Sequence, residues 1–556
     1  MSQPASDTLS TLPTELLNII ARNFAKADLA SLLLVNKSIN DALTPLLYAS
    51  ITIRSYISGQ KCIDVLAADP TEHFADRDMA VYVRSFTVDL KKLKYWRKGV
   101  RAAFACSLEG AISRMTGLQS FALQSMFFGT PKICIALMRG ASRTLRSLSF
   151  TAETERQWPD ESDVRALDGF QPELPELTTL SLKLANFIPL QFYTFFQHVL
   201  TSRSAQLHIL SIYDSHNRSV GDLFPNTGAW SALEELDLSM AITPTFFDDC
   251  PPGLNVCKLT LRPSFCLKEG TSTISELPSS IPAHIFPNIQ YLACPYQLLP
   301  AFLPVSASSR RPIRTVRLNQ AYYDPHGQSV DSFTDGGGPP WSSVRGALNS
   351  LSRSAGPVVD LAFYIECFDA ETFPGELVEY VRTVERLVIV LQREPLNIYL
   401  VDNADTRNNS SQGLGLCDFG EKLFAHTPRL RAFLLSDAPT RAIDDEFAFF
   451  TFLWDEHKTW LEEWEKHTGV LEEVAFTTEH SWKKMDDGWV KRGYDWAESN
   501  DTEDDSEYGE DDEVVKDGDW DVDDDEEDND EDEDEESEGL HQIDDVDEND
   551  EGKVSG

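Results

Sequence analysis

The chain has 556 residues, more than one compact core supports, so several domains or a repeat architecture are expected. Its apolar fraction of 42% is ordinary, but its formal charge of −43 is not, and that charge is uneven. Residues 501 to 556 hold 32 Asp and Glu against Lys516 and Lys553, a net of −30, which leaves −13 for the first 500 residues. An acidic chain of this kind repels phosphate, so nucleic acid is excluded as a partner recognised by overall charge. No stretch approaches the roughly 18 consecutive apolar residues of a membrane span. The N-terminus, MSQPASDTLSTLP, has neither the basic nor the apolar segment of a secretory signal, so the expected location is cytoplasm or nucleus.

In chain order, the first structured stretch is LPTELLNIIARNFAKADLASLLLVNKSINDALTPLLY, residues 12 to 48. Pro13 suits the first turn of a helix, where its missing N–H costs nothing. Leu16, Leu17, Ile20 and Phe24 follow at three- and four-residue spacing and define one apolar face. Asp28 is expected to cap a second short helix carrying Leu29, Leu32 and Leu33, and Asn36 a third. Three helices this short enclose little core, so apolar surface is expected to remain for a partner.

With Leu12-Pro13, Glu15-Leu16-Leu17, Ile19-Ile20, Asp28-Leu29, the apolar run to Val35, and Pro45 to Tyr48 in that order, residues 8–53 resemble an F-box. The resemblance implies docking onto a Skp-type adaptor of a cullin-RING ubiquitin ligase. It assigns Leu12, Pro13, Leu16, Leu17, Ile20, Leu32 and Val35 as apolar anchors in the adaptor's groove.

Between residues 83 and 476 one pattern returns: apolar, two others, apolar, one other, apolar. It begins at Val83, Leu118, Leu145, Leu177, Leu207, Leu233, Val256, Ile289, Ile313, Val358, Val384, Leu430 and Leu471. This resembles the strand segment of a leucine-rich repeat. The starts up to Ile313 lie 23 to 35 residues apart, and the later intervals are longer, so the array is irregular and carries insertions. Helical stretches such as Leu190 to Leu200 lie between strands. The expected fold class is therefore α/β: a three-helix F-box, an irregular leucine-rich-repeat solenoid over 80–480, and a disordered acidic tail over 498–556.

In such a strand the residues between the apolar ones face the concave surface. Candidate target contacts are His208, Ser211 and Tyr213; Glu234, Glu235 and Asp237; Lys258, Thr260 and Arg262; then Arg314 and Arg317. Arg310 and Arg311 join the last two in a local basic patch. Residues 320 to 343 and 402 to 415 read as long loops. Glu446 to His467 reads as an amphipathic helix packed on the array.

The nine cysteines are scattered, odd in number and without a C-x-x-C pair, which fits reduced core residues rather than a disulfide framework or a zinc site. No G-x-S-x-G, H-E-x-x-H, Walker A or kinase signature is present, and Gly336-Gly337-Gly338 lacks the strand-to-helix context of a phosphate cradle. No enzyme activity, cofactor or metal is expected. The F-box followed by repeats is similar to substrate receptors of the fungal type. It implies a substrate-recognition subunit of an SCF-type ligase, with basic proteins as further partners of the tail. The alternative is a non-catalytic interaction scaffold outside any ligase.

Overall fold

A computed structural model divides the chain into two units, residues 1–500 and 501–556. The described residues are 12, 14–68, 78–89, 98–124, 130–151, 165, 167, 173–184, 190–214, 230–240, 247, 250, 254–263, 280–306, 310–318, 339–365, 372–391, 418–437, 454–476, 480–486 and 488–493. The tail expected at 498–556, the loop at 402–415 and Pro13 lie outside them.

Helices α1 (Thr14–Ala21), α2 (Lys26–Leu33) and α3 (Lys37–Leu47) open the chain. The side chain of Asn36 accepts from the Ile39 N–H at 2.9 Å and caps α3 as its residue type predicts. The expected cap on α2 is corrected. That helix starts at Lys26 after an extended Ala25, and Asp28 sits inside the first turn, where a carboxylate favours the positive end of the helix. Leu17, Ala21, Leu29, Ile39 and Leu43 form a small core of their own. The Lys26 ammonium donates to the Ser50 carbonyl at 2.8 Å, tying this unit to the first strand.

From Ser50 on, the described residues build one mixed α/β layer arrangement around a sheet of sixteen strands ordered as they occur in sequence. After β1 (Ser50–Ile53) come α4 (Tyr56–Ala67), β2 (Ser85–Val88), α5 (Lys98–Arg114), β3 (Ser120–Leu123), α6 (Thr130–Gly140), β4 (Ser147–Thr151) and β5 (Thr179–Leu184). Next are α7 (Leu190–Arg203), β6 (Ile209–Asp214), β7 (Glu235–Met240), β8 (Lys258–Pro263), β9 (Tyr291–Cys294), α8 (Leu299–Phe302), β10 (Thr315–Leu318) and α9 (Trp341–Leu348). The chain then forms β11 (Asp360–Ile365), α10 (Phe373–Val381), β12 (Arg386–Leu391), α11 (Asp418–Lys422), β13 (Ala432–Asp437), α12 (Trp454–Glu465) and β14 (Glu473–Ala475). β15 (His480–Met485) and β16 (Gly488–Gly493) close it.

Neighbours from β1 to β14 are parallel, which takes a crossover connection rather than a tight hairpin between successive strands. β15 and β16 are antiparallel, turned at Gly488, whose φ of +112° suits a residue without a Cβ.

All thirteen sequence matches become strands β2 to β14, each starting two residues after the first apolar position. The reason is visible in the register. Phe86, Phe121, Leu148, Leu180, Leu210, Leu236, Leu259, Leu292, Val316, Leu361, Leu387, Phe433 and Val474 occupy one row across the sheet, and all are buried. Each such side chain contributes roughly 1.5–3 kcal/mol by leaving water.

The residue after the first apolar position carries a backbone link from each strand segment to the one before it. Gln119 N–H donates to Arg84 O, Arg146 to Gln119, Thr178 to Arg146 and His208 to Thr178, all within 2.7–2.9 Å. The same link continues through Glu234, Cys257, Gln290, Arg314, Val359, Glu385 and Arg431 to Glu472. Period-two alternation alone therefore sets which face is core.

The helices fill the core side. Phe192, Phe195, Phe196 and Val199 of α7 are buried as their spacing predicts, and the Phe150 and Phe196 rings lie 5.6 Å apart. On α12, Trp460, Leu461 and Trp464 are buried, with Trp464 4.8 Å from the Phe424 ring. That helix begins at Trp454, and residues 446–453 of the expected span lie outside the described residues.

Three further sequence expectations change. The sheet extends beyond 80–480, since β1 precedes that range and β16 ends at Gly493. The loop expected to reach residue 343 gives way at Trp341 to α9, which follows Pro340. Cys106 is exposed rather than part of the core, whereas Cys134 and Cys294 are buried.

Candidate functional site

Two surfaces stand apart from this packing. The first belongs to α1 to α3. Leu16, Ile19, Ile20, Phe24, Leu34 and Val35 are exposed, Leu34 at 86%, and these six are nearly half of the large apolar side chains exposed among the described residues. Leu16, Ile19 and Ile20 share one face of α1 by their spacing. A core of five buried residues has no room for them.

Of the anchors expected from sequence, Leu16, Ile20 and Val35 lie on this surface. Leu12 and Leu32 are half-buried against the small core. Leu17 is corrected: it is 5% exposed and packs inward, because a helix in a three-helix unit must turn one stripe to its neighbours. Ile19 and Leu34 are exposed on the same unit and were not among the residues expected there; the i, i+3 relation of Leu16 to Ile19 was the available signal for the first.

The second surface is the sheet face opposite the helices. From β1 to β6 its side chains are mostly small and uncharged. Ser50, Ser85, Ser120, Ser147 and Thr179 form one row, and Thr52, Thr87, Ala122, Ser149, Ser181 and Ser211 the next. From β7 the same rows become charged. Asp237 takes the Arg262 guanidinium at 2.9 Å, Glu235 takes the Lys258 ammonium at 2.9 Å, and Glu234 lies 3.3 Å from the His208 ring. Lys258 also sits 5.8 Å over the Tyr291 ring, as Lys183 does over Tyr213. Two strands further on, Asp360 takes Arg317 at 2.6 Å and has Arg386 at 3.8 Å.

Burial pushes the carboxyl of Asp237 above its usual range, opposed by Arg262 and Lys258. Burial does the same to Asp360, opposed by Arg317 and Arg386. Past Arg386 the face turns apolar, with Tyr364, Val390, Leu434 and Ala475 forming a cluster separate from the main core and a shallow depression beside it.

The structure thus places His208, Ser211, Tyr213, Glu234, Glu235, Asp237, Lys258, Thr260 and Arg262 on adjoining strands of one face, or just before them, with Arg317 two strands beyond. Thr260 is 7% exposed and lies beneath its neighbours. Arg314 is exposed at the start of β10. Asp360, Arg386 and Tyr291 were missed, although they fill the third position of the same repeating pattern.

The basic patch of Arg310, Arg311, Arg314 and Arg317 is corrected. Arg311 is buried, and its guanidinium donates to the carbonyls of Phe286, Phe302, Ile281, Pro282 and Ile285 at 2.7–3.2 Å. It closes irregular backbone that no strand pairs, and burial holds its pKa down to about 10.

Among the described residues no group of His, Cys, Asp and Glu is arranged to hold a metal ion, and no helix is long and apolar enough to cross a membrane. Burial pushes the thiols of Cys134 and Cys294 well up, which makes them inert side chains of the core. No family model matches the chain, and no curated protein matches it in sequence.

Proposed function

We propose that the chain is the substrate-recognition subunit of an SCF-type cullin-RING ubiquitin ligase, docking a Skp-type adaptor with α1 to α3 and a target protein with the strand array read as leucine-rich repeats. The observation that carries this reading is the concentration of exposed apolar side chains on a helical unit too small to cover them: Leu16, Ile19, Ile20, Phe24, Leu34 and Val35. The F-box resemblance of residues 8–53 names the partner that such a surface would meet.

On this reading the chain contributes no catalytic group. It holds a target lysine near a charged ubiquitin carrier, and the gain is one of effective concentration. A regular sheet anchored by a continuous core suits that task, because a rigid spacer fixes the distance between the two docked proteins.

Capture by an immobilised Skp-type adaptor tests the proposal. The full chain should be retained, and Leu16→Ser with Ile20→Ser should abolish retention while the melting temperature stays in place. A chain that the adaptor does not retain, although folded, is a scaffold outside the ligase.

A further inference from the structure

We propose that the sheet face from β8 to β12 binds an extended acidic segment of a partner protein through a diagonal row of arginines, Arg262, Arg317 and Arg386. The inference deepens the target-binding part of the reading above and rests on it for its biological setting, though not for its chemistry.

The row follows from the register. Thr260, Ala293, Arg317, Ala362 and Val388 lie level with one another on β8 to β12. Arg262 is two residues past that level on β8, and Arg386 two residues before it on β12. Alternate strands lie about 9.6 Å apart and two residues rise about 6.7 Å, so successive arginines of the row are about 12 Å apart at the backbone. Three to four residues of extended chain cover that distance.

The floor between them is low. Ala293 and Ala362 take up the level positions on either side of Arg317, and Thr260 is covered. No bulky side chain stands at those positions, and the side chains of Arg262, Arg317 and Arg386 are 31%, 15% and 32% exposed.

Charge selects the occupant. The chain carries 91 acidic residues against 48 Lys and Arg, yet in strands β7 to β12 Lys258, Arg262, Arg317 and Arg386 outnumber Glu235, Asp237 and Asp360. Local excess of cations in a strongly acidic protein favours an anionic partner. The Asp partners do not cancel the site. Asp237 meets Arg262, and Asp360 meets Arg317, each through a single guanidinium nitrogen, so they hold the forks in place for a bidentate contact with a carboxylate or phosphate.

A nucleic acid fits less well. Its backbone carries a phosphate at every nucleotide, one per about 3.4 Å of helix axis on each strand of a duplex, and those falling between Arg317 and Arg386 would meet Asp360. Anionic side chains three or four residues apart leave that carboxylate alone. They can be Asp and Glu or phosphorylated Ser and Thr, since a carboxylate and a phosphate each offer two oxygens to one guanidinium fork.

The test uses the full chain and fluorescently labelled synthetic peptides in a Gly/Ser background. One carries Glu at three positions spaced three or four residues apart, a second phosphoserine at those positions, and a third Lys; a single-stranded oligonucleotide is the fourth probe. Anisotropy should rise with the Glu peptide, the phosphoserine peptide, or both, which identifies the source of the anion, and should fall as salt is added.

Arg262→Gln, Arg317→Gln and Arg386→Gln combined should weaken binding about tenfold or more. Adding Asp237→Asn and Asp360→Asn to that variant leaves no half-buried carboxylate without its partner, so loss of binding in a chain with an unchanged melting temperature reports the row itself. Lys183→Gln, a cation on β5 of the same face, should change nothing.

Failure of both acidic peptides to bind, equal binding by the arginine variants, or binding of the oligonucleotide alone overturns the proposal. Adaptor capture separates the two readings. If the adaptor fails to retain the chain while peptide binding still depends on the three arginines, the ligase assignment falls and the acidic-peptide surface stands.

Discussion

The helical unit and the sheet solve the same problem with opposite results. In α1 to α3 five buried residues must hold three helices, and six large apolar side chains stay outside. In the sheet every strand from β2 to β14 has another on each side, so each inward row continues without a break from Phe86 to Val474. A repeat closes its core through its neighbours, whereas a short isolated unit exposes what it cannot enclose. Unsatisfied apolar surface therefore gathers in the helices, and the sheet's open face is left to polar and charged chemistry.

Substitutions in the sheet should show the largest effects. Leu236→Asp or Leu180→Asp puts an unpaired charge into the inward row and should cost several kcal/mol in urea denaturation, while Glu235→Ala or Thr179→Ala on the opposite face stays near zero. If both kinds of change behave alike, the two faces are not distinct. Arg311→Met should cost about 3 kcal/mol or more, because five carbonyls lose their donor together. Arg311→Lys should not restore it, since an ammonium offers three donors from one point.

Smaller effects are expected from the helical unit. Asn36→Ala removes the cap on α3 and should cost about 1 kcal/mol, felt locally as faster amide exchange in α3 than in the strands. Leu34→Ser with Val35→Ser should leave stability within about 0.5 kcal/mol, and capture by the adaptor should weaken roughly thirtyfold. A clear loss of stability there would mean that these side chains are covered within the chain.

The smallest effect is one of pH. Asp237 and Asp360 are held above the usual carboxylate range, so the folded chain binds their protons more tightly than the unfolded chain does. Their contribution to stability falls as pH rises from about 4 through the raised values and levels off above them. Asp237→Asn with Asp360→Asn should therefore gain on the parent chain across that window, read as a growing difference in urea midpoint. Parallel curves would mean that the arginines fully offset the burial of the two carboxyls.

Much of this contrast was legible in the sequence because it is local. The six-residue pattern beginning at Val83, Leu118 and the later starts carries its own period-two alternation, and that alternation determined strand position and inward face without reference to any other part of the chain. Asn36 capped its helix for an equally local reason. β1 shows the limit of the approach: Tyr48, Ile51 and Ile53 follow the same pattern, but they sit against the helical stretch and were read with it. The β15–β16 hairpin carries no apolar repeat and was missed altogether.

Tertiary structure decided what depends on distant residues. Leu16 and Leu17 are equally apolar neighbours, and only packing against α2 and α3 sends one outward and the other in. Arg311 and Arg317 read as one basic patch, yet the first is enclosed by carbonyls from residues 281 to 302 and the second faces Asp360, 43 positions further along the chain. The sequence by itself determined which side chains leave water, since hydrophobic burial follows residue type and local period. Which charges meet, and which apolar side chains are left over, was set by register between strands and by the size of each core, and neither is written in any single segment.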